Sequence, residues 1–298
     1  MSFRVTQSTT GNVMLQGIET AYDGFETLST QIASGQAISK PSDNPAGTVQ
    51  VMSYNADLTR LAQYQSNAHD GTAWLGTADN VLGSVMTQLQ RAQQLAQQGA
   101  NSTTDATGRA AIANEIDSIK SSLLASANTT YLGRPIFGGT TGGTTAFDAS
   151  GNYVGDSGAV NRTVAAGTSV QVNVIGTDVF GSGANNVFSV LTQLSSDLRS
   201  ANATNNAAVG TTDLDAVQQA ITQVQTAQAT VGSRTNEVQL LLAQSQSRQT
   251  TVTQAKSAIA DLDLAKAETE LATQQLTYQA ALQATAHVLS LSLVQFLQ

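Results

Sequence analysis

Several residue types are absent or scarce in this chain of 298 residues, and each absence narrows what the protein can be. The chain contains no cysteine, which excludes disulfides and thiolate metal sites. Aromatic residues make up only 5% of the sequence and charged residues only 11%. The core is therefore expected to consist mainly of Ala, Leu, Val and Ile, under a neutral polar surface. Such a surface can pack against copies of itself without strong charge repulsion.

The charge balance and the hydropathy pattern argue against two classes of partner. The formal net charge is −8, so no nucleic-acid partner is expected, because phosphate binding needs a basic face. No run of eighteen apolar residues occurs, so no membrane span is predicted. After Ile259 the terminal helix carries only Lys266 as a cation, which argues against a membrane-surface helix. The first twelve residues lack the apolar segment of a cleaved signal peptide.

The most regular pattern lies in residues 259–298. Large apolar residues recur there at steps of seven, four and three, with no Gly or Pro between them, as is typical of a coiled-coil seam. They are Leu264, Leu271, Tyr278, Leu282, Leu289, Leu293 and Phe296. A second stripe near the N-terminus consists of Leu15, Ile18, Tyr22, Phe25, Leu28 and Ile32. Because one helix cannot bury its own stripe, the two terminal helices are predicted to pair.

A segment rich in turn-forming residues follows the first helix, which is predicted to end near Gly35. It holds two of the three prolines in the chain. Asp43 or Asn44 is placed to cap the next helix, with Pro45 at its first position. We interpret this segment as a fixed bend between two domains, formed by Pro41, Ser42, Asp43, Asn44, Pro45 and Gly47.

The rest of the chain alternates between long helical patterns and one glycine-rich region. Helices are predicted at about 46–98, 105–128, 185–201 and 213–257, and a loop is predicted at 202–212. Glycines within the 46–98 helix are expected to kink it. Half of the 24 glycines lie between Gly133 and Gly183, where strands are predicted at 160–165 and 169–175. The predicted fold class is mainly α with a β-rich insert.

Three domains follow from this order of elements. Residues 1–38 and 259–298 are predicted to form a terminal domain of paired coiled-coil helices. Residues 39–132 and 185–258 are predicted to form a long antiparallel helical rod, and residues 133–184 a small outer β-rich domain.

Residues suited to catalysis or metal binding are few. Neither His69 nor His287 has a carboxylate three or four positions away, so no helical metal pair is predicted. The glycine-rich run at 138–143 lacks the Gly-Lys-Ser/Thr ending of a phosphate loop. The densest acidic cluster is expected to be a solvated face and consists of Asp261, Asp263, Glu268 and Glu270. No catalytic residue, metal site or cofactor is predicted.

A hydrolase carried by the insert is the alternative from another functional class. It would need carboxylates or a histidine that converge in a pocket. The insert offers only Asp148, Asp156 and Asp178, so we do not favour this alternative.

Three segments carry a resemblance to a known family. Residues 34–47, Ser-Gly-Gln-Ala-Ile-Ser-Lys-Pro-Ser-Asp-Asn-Pro-Ala-Gly, resemble the signature of bacterial flagellins. The Pro-Ser-Asp-x-Pro form is similar to that of hook-associated proteins 3, which join the flagellar hook to the filament. Residues 131–139 resemble the start of that family's outer domain, and residues 289–297 resemble its C-terminal end. Asn44 departs from the pattern, because a second Asp is common there.

The resemblance implies a structural subunit without enzymatic activity or cofactor. It implies a ring of copies between another hook-associated protein and flagellin, in the extracellular flagellum. It also implies type III export without a cleaved signal and a cytoplasmic chaperone on the C-terminal helix. A short flagellin that forms the filament itself is the alternative. The self-assembly interface is predicted to include Ile18, Tyr22, Phe25, Leu271, Tyr278, Leu282, Leu289, Leu293 and Phe296.

Overall fold

A computed structural model describes the backbone of residues 7–101, 103–200 and 202–296. Side chains are described over the same ranges except at residues 7, 8, 10, 203, 204, 206 and 288–296. The protein is 74% helical, with a small region of β-structure, which confirms the predicted fold class.

The helices are much longer than the strands. The α-helices are α1 (Gln7–Ser34), α2 (Pro45–Gly99), α3 (Ala106–Ala127), α4 (Gly176–Phe180), α5 (Val187–Arg199), α6 (Ala203–Ala208), α7 (Leu214–Ala260) and α8 (Leu264–Phe296). A 3₁₀ turn spans Gly183–Asn185 and a π-helical turn spans Val209–Asp213. The antiparallel strand pairs are β1 (Thr130–Tyr131) with β2 (Arg134–Pro135), and β3 (Asn161–Ala165) with β4 (Thr168–Gln171).

The chain divides into two compact units, which are described separately. The terminal unit comprises residues 1–60 and 248–298, and the central unit comprises residues 61–247. The predicted three-domain division, with residues 133–184 as a domain of their own, stays a prediction.

Within the terminal unit, α1 and α8 pack along each other in antiparallel directions, as the two apolar stripes predicted. The segment after α1 is also tied to the segment before α8. The backbone N–H of Ala37 donates to the carbonyl of Ala260 at 2.8 Å, and that of Leu262 donates to the carbonyl of Gly35 at 3.0 Å. These bonds satisfy polar backbone groups that the helix ends leave without partners.

Side-chain caps order the connection between α1 and α2. Asp43 accepts hydrogen bonds from the backbone N–H groups of Ser39 and Lys40, at 3.1 and 2.8 Å. Asn44 accepts the N–H of Gly47 at 2.8 Å, directly before Pro45 begins α2. The predicted cap is therefore confirmed for Asn44, whereas Asp43 stabilises the turn that precedes the cap.

In the central unit, long helices pack around an aliphatic core. The fully buried side chains include Leu82, Leu89, Ile116, Leu191 and Val224, which come from α2, α3, α5 and α7. Helix α2 is unbroken through its glycines. At Gly71 a Cβ atom would lie 2.9 Å from the Val172 side chain, so this glycine gives the strand region room to approach the helix.

The glycine-rich region forms an aromatic cluster that is joined to the helices. Phe147 packs against Phe180 and against Phe188 of α5, with ring centroids 5.3 and 5.2 Å apart. Phe137 meets Phe180 edge to face at 5.4 Å. Aromatic pairs in these arrangements stabilise a core beyond their buried area.

Strand β4 is shorter than the alternating pattern predicted. The pattern extends to Ile175, but the strand ends at Gln171. One further ladder bond runs from the N–H of Val172 to the carbonyl of Val160, at 2.8 Å. The side chain of Asn173 then takes over, because its Oδ1 accepts the N–H of Val160 and its Nδ2 donates to the carbonyl of Gly158.

The prediction of a loop at 202–212 is wrong. Helix α6 and the π-helical turn occupy this region and lead directly into α7. Asp213 does not cap α7 as predicted; it lies inside the helical run and is buried. The cause is tertiary, since the turn packs against α5 and against Ala100. A Cβ atom placed at Gly210 would lie 3.1 Å from the Cβ of Ala100.

Candidate assembly surface of the terminal helices

The contact between α1 and α8 follows a heptad pattern on both helices. The α1 positions that face inward are Gly11, Met14, Ile18, Ala21, Phe25, Leu28 and Ile32. The α8 positions that face inward are Ala267, Leu271, Gln274, Tyr278, Ala281 and Thr285. Steps of three and four are those of a coiled-coil seam. Close contact across the seam is seen at Tyr22 and Tyr278, whose ring centroids are 5.8 Å apart.

This seam buries little large apolar surface. Among the side chains described in the terminal unit, the buried apolar ones are Ala21, Ala260 and Ala267. Apart from Leu271 and Tyr278, the seam positions of α8 are small or polar, so α1 covers only part of the stripe that the sequence predicts. A full burial of one Leu or Phe side chain stabilises by about 1.5–3 kcal/mol, and most of that gain is not realised within this unit.

Part of each predicted stripe remains exposed beside the seam. Leu264 is 52% exposed and Leu282 is 42% exposed, and on α1 Leu15 and Tyr22 are 56% and 49% exposed. At about 100° of rotation per residue, both α8 leucines lie about 60° from the centre of their seam. Leu15 and Tyr22 are displaced in the same rotational sense, and for antiparallel helices this places all four on the same side of the pair. We name this surface the apolar side.

The opposite side of the pair holds a groove with a mixed lining. This shallow groove of about 540 Å³ runs between the helices and is lined by Leu28 together with Asp23, Thr27, Thr269, Glu270 and Thr273. The two sides therefore differ in composition, because the exposed leucine and tyrosine side chains lie on one and the hydroxyl-lined groove lies on the other.

The predicted interface residues fall into three groups. Ile18, Phe25, Leu271 and Tyr278 lie half-buried in the seam, whereas Tyr22 and Leu282 are exposed on the apolar side. Leu289, Leu293 and Phe296 lie on the part of α8 whose side chains are outside the described residues.

Sequence reasoning missed other residues of the two helices. Val13 and Leu276 are exposed apolar residues, 63% and 68%, that no predicted stripe contains. Gln274 lies in the seam, where a Cβ at Gly24 would clash with its amide at 2.1 Å. Counting heptad positions from Leu271, instead of large apolar residues alone, would have found Gln274.

The acidic cluster near the start of α8 has structural and solvent-exposed roles. Asp263 accepts the backbone N–H of Lys266 at 3.2 Å, which caps the helix. Asp261 accepts a hydrogen bond from the Ser257 hydroxyl, and Glu270 lies 3.7 Å from the Lys266 ammonium. These carboxylates are exposed, as predicted.

Two of the three carboxylates of the glycine-rich region, those of Asp148 and Asp156, hold loops together. Asp148 accepts the backbone N–H groups of Ser150 and Asn152, both at 2.8 Å, and hydrogen bonds from Asn152 lower its pKa. Asp156 accepts the N–H of Thr140 at 2.7 Å, and this bond lowers the pKa of Asp156 in the same way. Carboxyl groups stabilised as anions are poor general acids, which argues further against a hydrolase.

The described residues offer neither a membrane-spanning helix nor a metal-binding cluster. No helix in that part of the chain is both long and apolar enough to span a bilayer. In the same residues, no group of three or more His, Asp or Glu side chains is arranged to hold a metal ion.

Comparison with known proteins places both ends of the chain in one superfamily. The bacterial flagellin N-terminal helical region matches residues 5–141, and the bacterial flagellin C-terminal helical region matches residues 214–297. Flagellar hook-associated protein 3 of Escherichia coli K12 is 25% identical over 94% of this chain and 95% of that protein. The flagellin of Clostridium tyrobutyricum is 32% identical, but over only 34% of this chain and 26% of that protein.

A solved structure gives the same fold. A flagellar hook-associated protein from Vibrio parahaemolyticus superposes with a TM-score of 0.68 at 24% identity, covering 74% of this chain and 100% of that one. The paired terminal helices and the helical central unit thus define a member of the bacterial flagellin superfamily, a class of structural proteins of the flagellum. Within it, the chain is similar over nearly its whole length to hook-associated protein 3 of Escherichia coli K12.

Proposed function

We propose that this chain is a structural subunit that joins the flagellar hook to the filament, and that it assembles with copies of itself through the apolar side of its terminal helices. The observation that carries the proposal is the incomplete burial within the terminal unit. Leucine and tyrosine side chains lie in a row beside the α1–α8 seam, and the described residues of this unit leave about half of the surface of each exposed. A neighbouring subunit is the covering surface that an assembling protein has available.

The experiment replaces Leu264 and Leu282 together with serine. We expect the subunit to lose self-association and to fail to support filaments in cells that lack the native gene. The fold of the monomer should be retained, because both side chains are already exposed. Circular dichroism checks the fold, sedimentation measures association, and electron microscopy of the cells shows whether hooks carry filaments.

A matched control is available on the same helix. Leu276 is exposed to 68%, but it lies about 180° from the seam centre, away from the apolar side. Leu276→Ser should assemble much better than the double variant. Equal assembly of the double variant and the wild type would refute the proposed surface.

The alternative, a short flagellin, makes a different prediction about growth. A flagellin elongates a seeded filament indefinitely, whereas a junction subunit adds a limited layer to the hook. The match to hook-associated protein 3 over nearly the whole chain, against a partial match to flagellin, favours the junction. Deletion of the gene should leave hooks without filaments and release flagellin into the medium; normal filaments after deletion would exclude the junction role.

The finer parts of the proposal concern partners and delivery. The subunits form a ring whose two faces contact another hook-associated protein and flagellin. The chain is exported by the flagellar type III apparatus, with a cytoplasmic chaperone on α8, and it has no enzymatic activity. The observation that supports the chaperone is the same exposed leucine surface. An apolar surface of this kind favours premature association unless another protein binds it before assembly.

A further inference from the structure

Two acidic side chains are buried together in the central unit, far in sequence from the assembly surface. Asp197 on α5 and Asp213 in the π-helical turn are each only 5% exposed. The turn that carries Asp213 packs against α5, and burial, together with the charge and hydrogen bonding of Asp197, raises the pKa of Asp213. Buried carboxylates ordinarily have a cation or several N–H donors, because desolvation of an unpaired charge is costly.

Donors are distributed unequally between the two acids. Asp197 accepts a hydrogen bond from the Gln193 amide at 2.9 Å. The Oδ2 atom of Asp213 is buried and receives no hydrogen bond. Two carboxylates cannot bond to each other, but a carboxylic acid can donate to a carboxylate. One proton between Asp213 and Asp197 would therefore satisfy both groups.

The arginines of α3 and α5 donate hydrogen bonds to groups other than this pair. Arg199, two positions after Asp197, donates to Asp117 at 2.6 Å and to Asn114 at 2.9 Å. Arg109, at the start of α3, donates from its Nη1 atom to the carbonyl of Thr104, while its buried Nε atom has no acceptor among the described residues. On α7, Asp215 is exposed, and α6 carries no charged residue. Burial, together with the smaller effect of the neighbouring Asp197 charge, raises the pKa of Asp213 to about 6.

The pair sits where the helical run is irregular. Asp213 closes the π-helical turn between α6 and α7, a form that occurs mostly as single turns inside α-helices and often at functional positions. The turn packs against α5, which carries Asp197. The contact between the two carboxyl groups is therefore also a contact between the α6–α7 junction and the body of the central unit.

We propose that Asp197 and Asp213 form a proton-dependent latch that holds the α6–α7 junction against α5. With one proton shared, the two carboxyl groups form a short hydrogen bond in a water-poor site. When the proton leaves, two like charges face each other at the same place, and the junction, residues 203–213, opens locally toward solvent.

The direction of the pH effect follows from linkage. The pKa of Asp213 is higher in the folded protein than the ordinary value of 3.8. The folded state thus binds the proton more tightly than the unfolded state does. The stabilisation is fully present below about pH 4 and is lost as the pH rises through about 6. This latch is closed in acid and opens toward pH 8, opposite to the usual behaviour of buried carboxylates that have a cation partner.

The test is hydrogen exchange on the full-length chain at pH 5 and pH 8, with rates corrected for the intrinsic effect of pH. For peptides that cover 203–216, we expect protection to fall by about tenfold from pH 5 to pH 8, which is the change that a pKa shift from 3.8 to about 6 produces. Asp213→Asn mimics the protonated acid and should keep the same protection at both pH values. Asp215→Asn changes an exposed neighbour and should behave like the wild type.

A second variant keeps the proposal testable if Asp213→Asn does not fold. Asp197→Asn removes the facing charge and supplies an amide donor, so it should reduce the pH dependence and lower the midpoint of Asp213, which carboxyl NMR measures directly. A wild-type midpoint near 4, or protection in the wild type that does not change between pH 5 and pH 8, would overturn the latch. Either result leaves the assembly proposal untouched, because the latch lies outside the terminal unit.

Discussion

At the scale of single residues, apolar side chains of the same hydropathy can differ in exposure and in backbone geometry. Leu132 is apolar, yet it is 80% exposed and has a positive φ of 48° in the turn between β1 and β2. Gly133 follows with a φ of 78°. A two-residue hairpin turn with positive φ at both positions favours Asn-Gly, so a leucine at the first position is strained.

Leu132→Asn is therefore expected to stabilise the central unit by about 0.5–1 kcal/mol, because asparagine tolerates this conformation better and no buried contact is lost. Urea unfolding of the two proteins measures the difference. Gly133→Ala, at the adjacent position, should have the opposite sign. Destabilisation by Leu132→Asn would show that the leucine makes a contact worth more than the strain.

Asn44 is the second residue whose role depends on backbone geometry. Asn44→Ala removes the acceptor for the Gly47 N–H and should cost about 1 kcal/mol in the terminal unit. Exchange of the amides in the first turn of α2 reports the loss locally. Asn44→Asp keeps an acceptor at the same place and should leave these amides protected. Equal exchange in all three proteins would mean that the cap contributes nothing.

At the scale of elements, the glycine-rich region is held by close packing of backbone against side chains. A Cβ atom on Gly139 would lie 2.1 Å from the carbonyl oxygen of Asp156, at a φ of 73° that side chains rarely adopt. Asp156 in turn binds the N–H groups of Thr140 and Gly158. The loops therefore depend on the absence of a side chain at one position and the presence of a carboxylate at another.

Gly139→Ala should destabilise the central unit by about 2–4 kcal/mol, because the new Cβ meets backbone that cannot move away freely. Gly142 is the matched control: no atom lies within 4 Å of a Cβ placed there, and its φ is not positive. Gly142→Ala should change the unfolding free energy by less than about 0.5 kcal/mol. Similar urea midpoints for the two variants would contradict the close packing described for Gly139.

At the scale of the whole molecule, apolar burial is distributed unevenly. The central unit buries aliphatic residues from several helices and an aromatic cluster, whereas the described part of the terminal unit buries only alanines among its apolar residues. Stability tracks buried apolar area, so the two units should differ strongly in how often they open. A terminal unit that is weakly held in the free chain can reorder when it meets its neighbours.

For the free monomer we expect amides of α1 and α8 to exchange at least about 100-fold faster than those of α3 and of α2 after residue 61. In the assembled state the terminal helices should become protected, because the apolar side is then covered. Hydrogen exchange with mass spectrometry on monomer and assembly measures both. Strong protection of α1 and α8 in the monomer would show that their own seam is sufficient.

Much of the architecture follows from local patterns that need no tertiary information. The three- and four-residue steps predicted the terminal helices and their pairing, and Asn44 followed by Pro45 predicted the start of α2. The region at 202–213 shows the limit, since its Asn, Thr and Gly residues read as a loop but form helix against α5. Packing against α5 stabilises helix in this region although the local sequence favours a loop, and the same packing buries Asp213.

By itself, then, the sequence determined the helical periodicity, the caps, the glycine-rich insert and the two apolar stripes, because each depends on residues close together in the chain. The tertiary structure decided which part of each stripe is covered. Helix α1 covers Leu271 and Tyr278 of the α8 stripe in part and leaves Leu264 and Leu282 largely exposed, since rotation about the helix axis is set by how the two helix surfaces pack. It also brought Asp197 and Asp213 together from different elements, a pairing that no local pattern encodes.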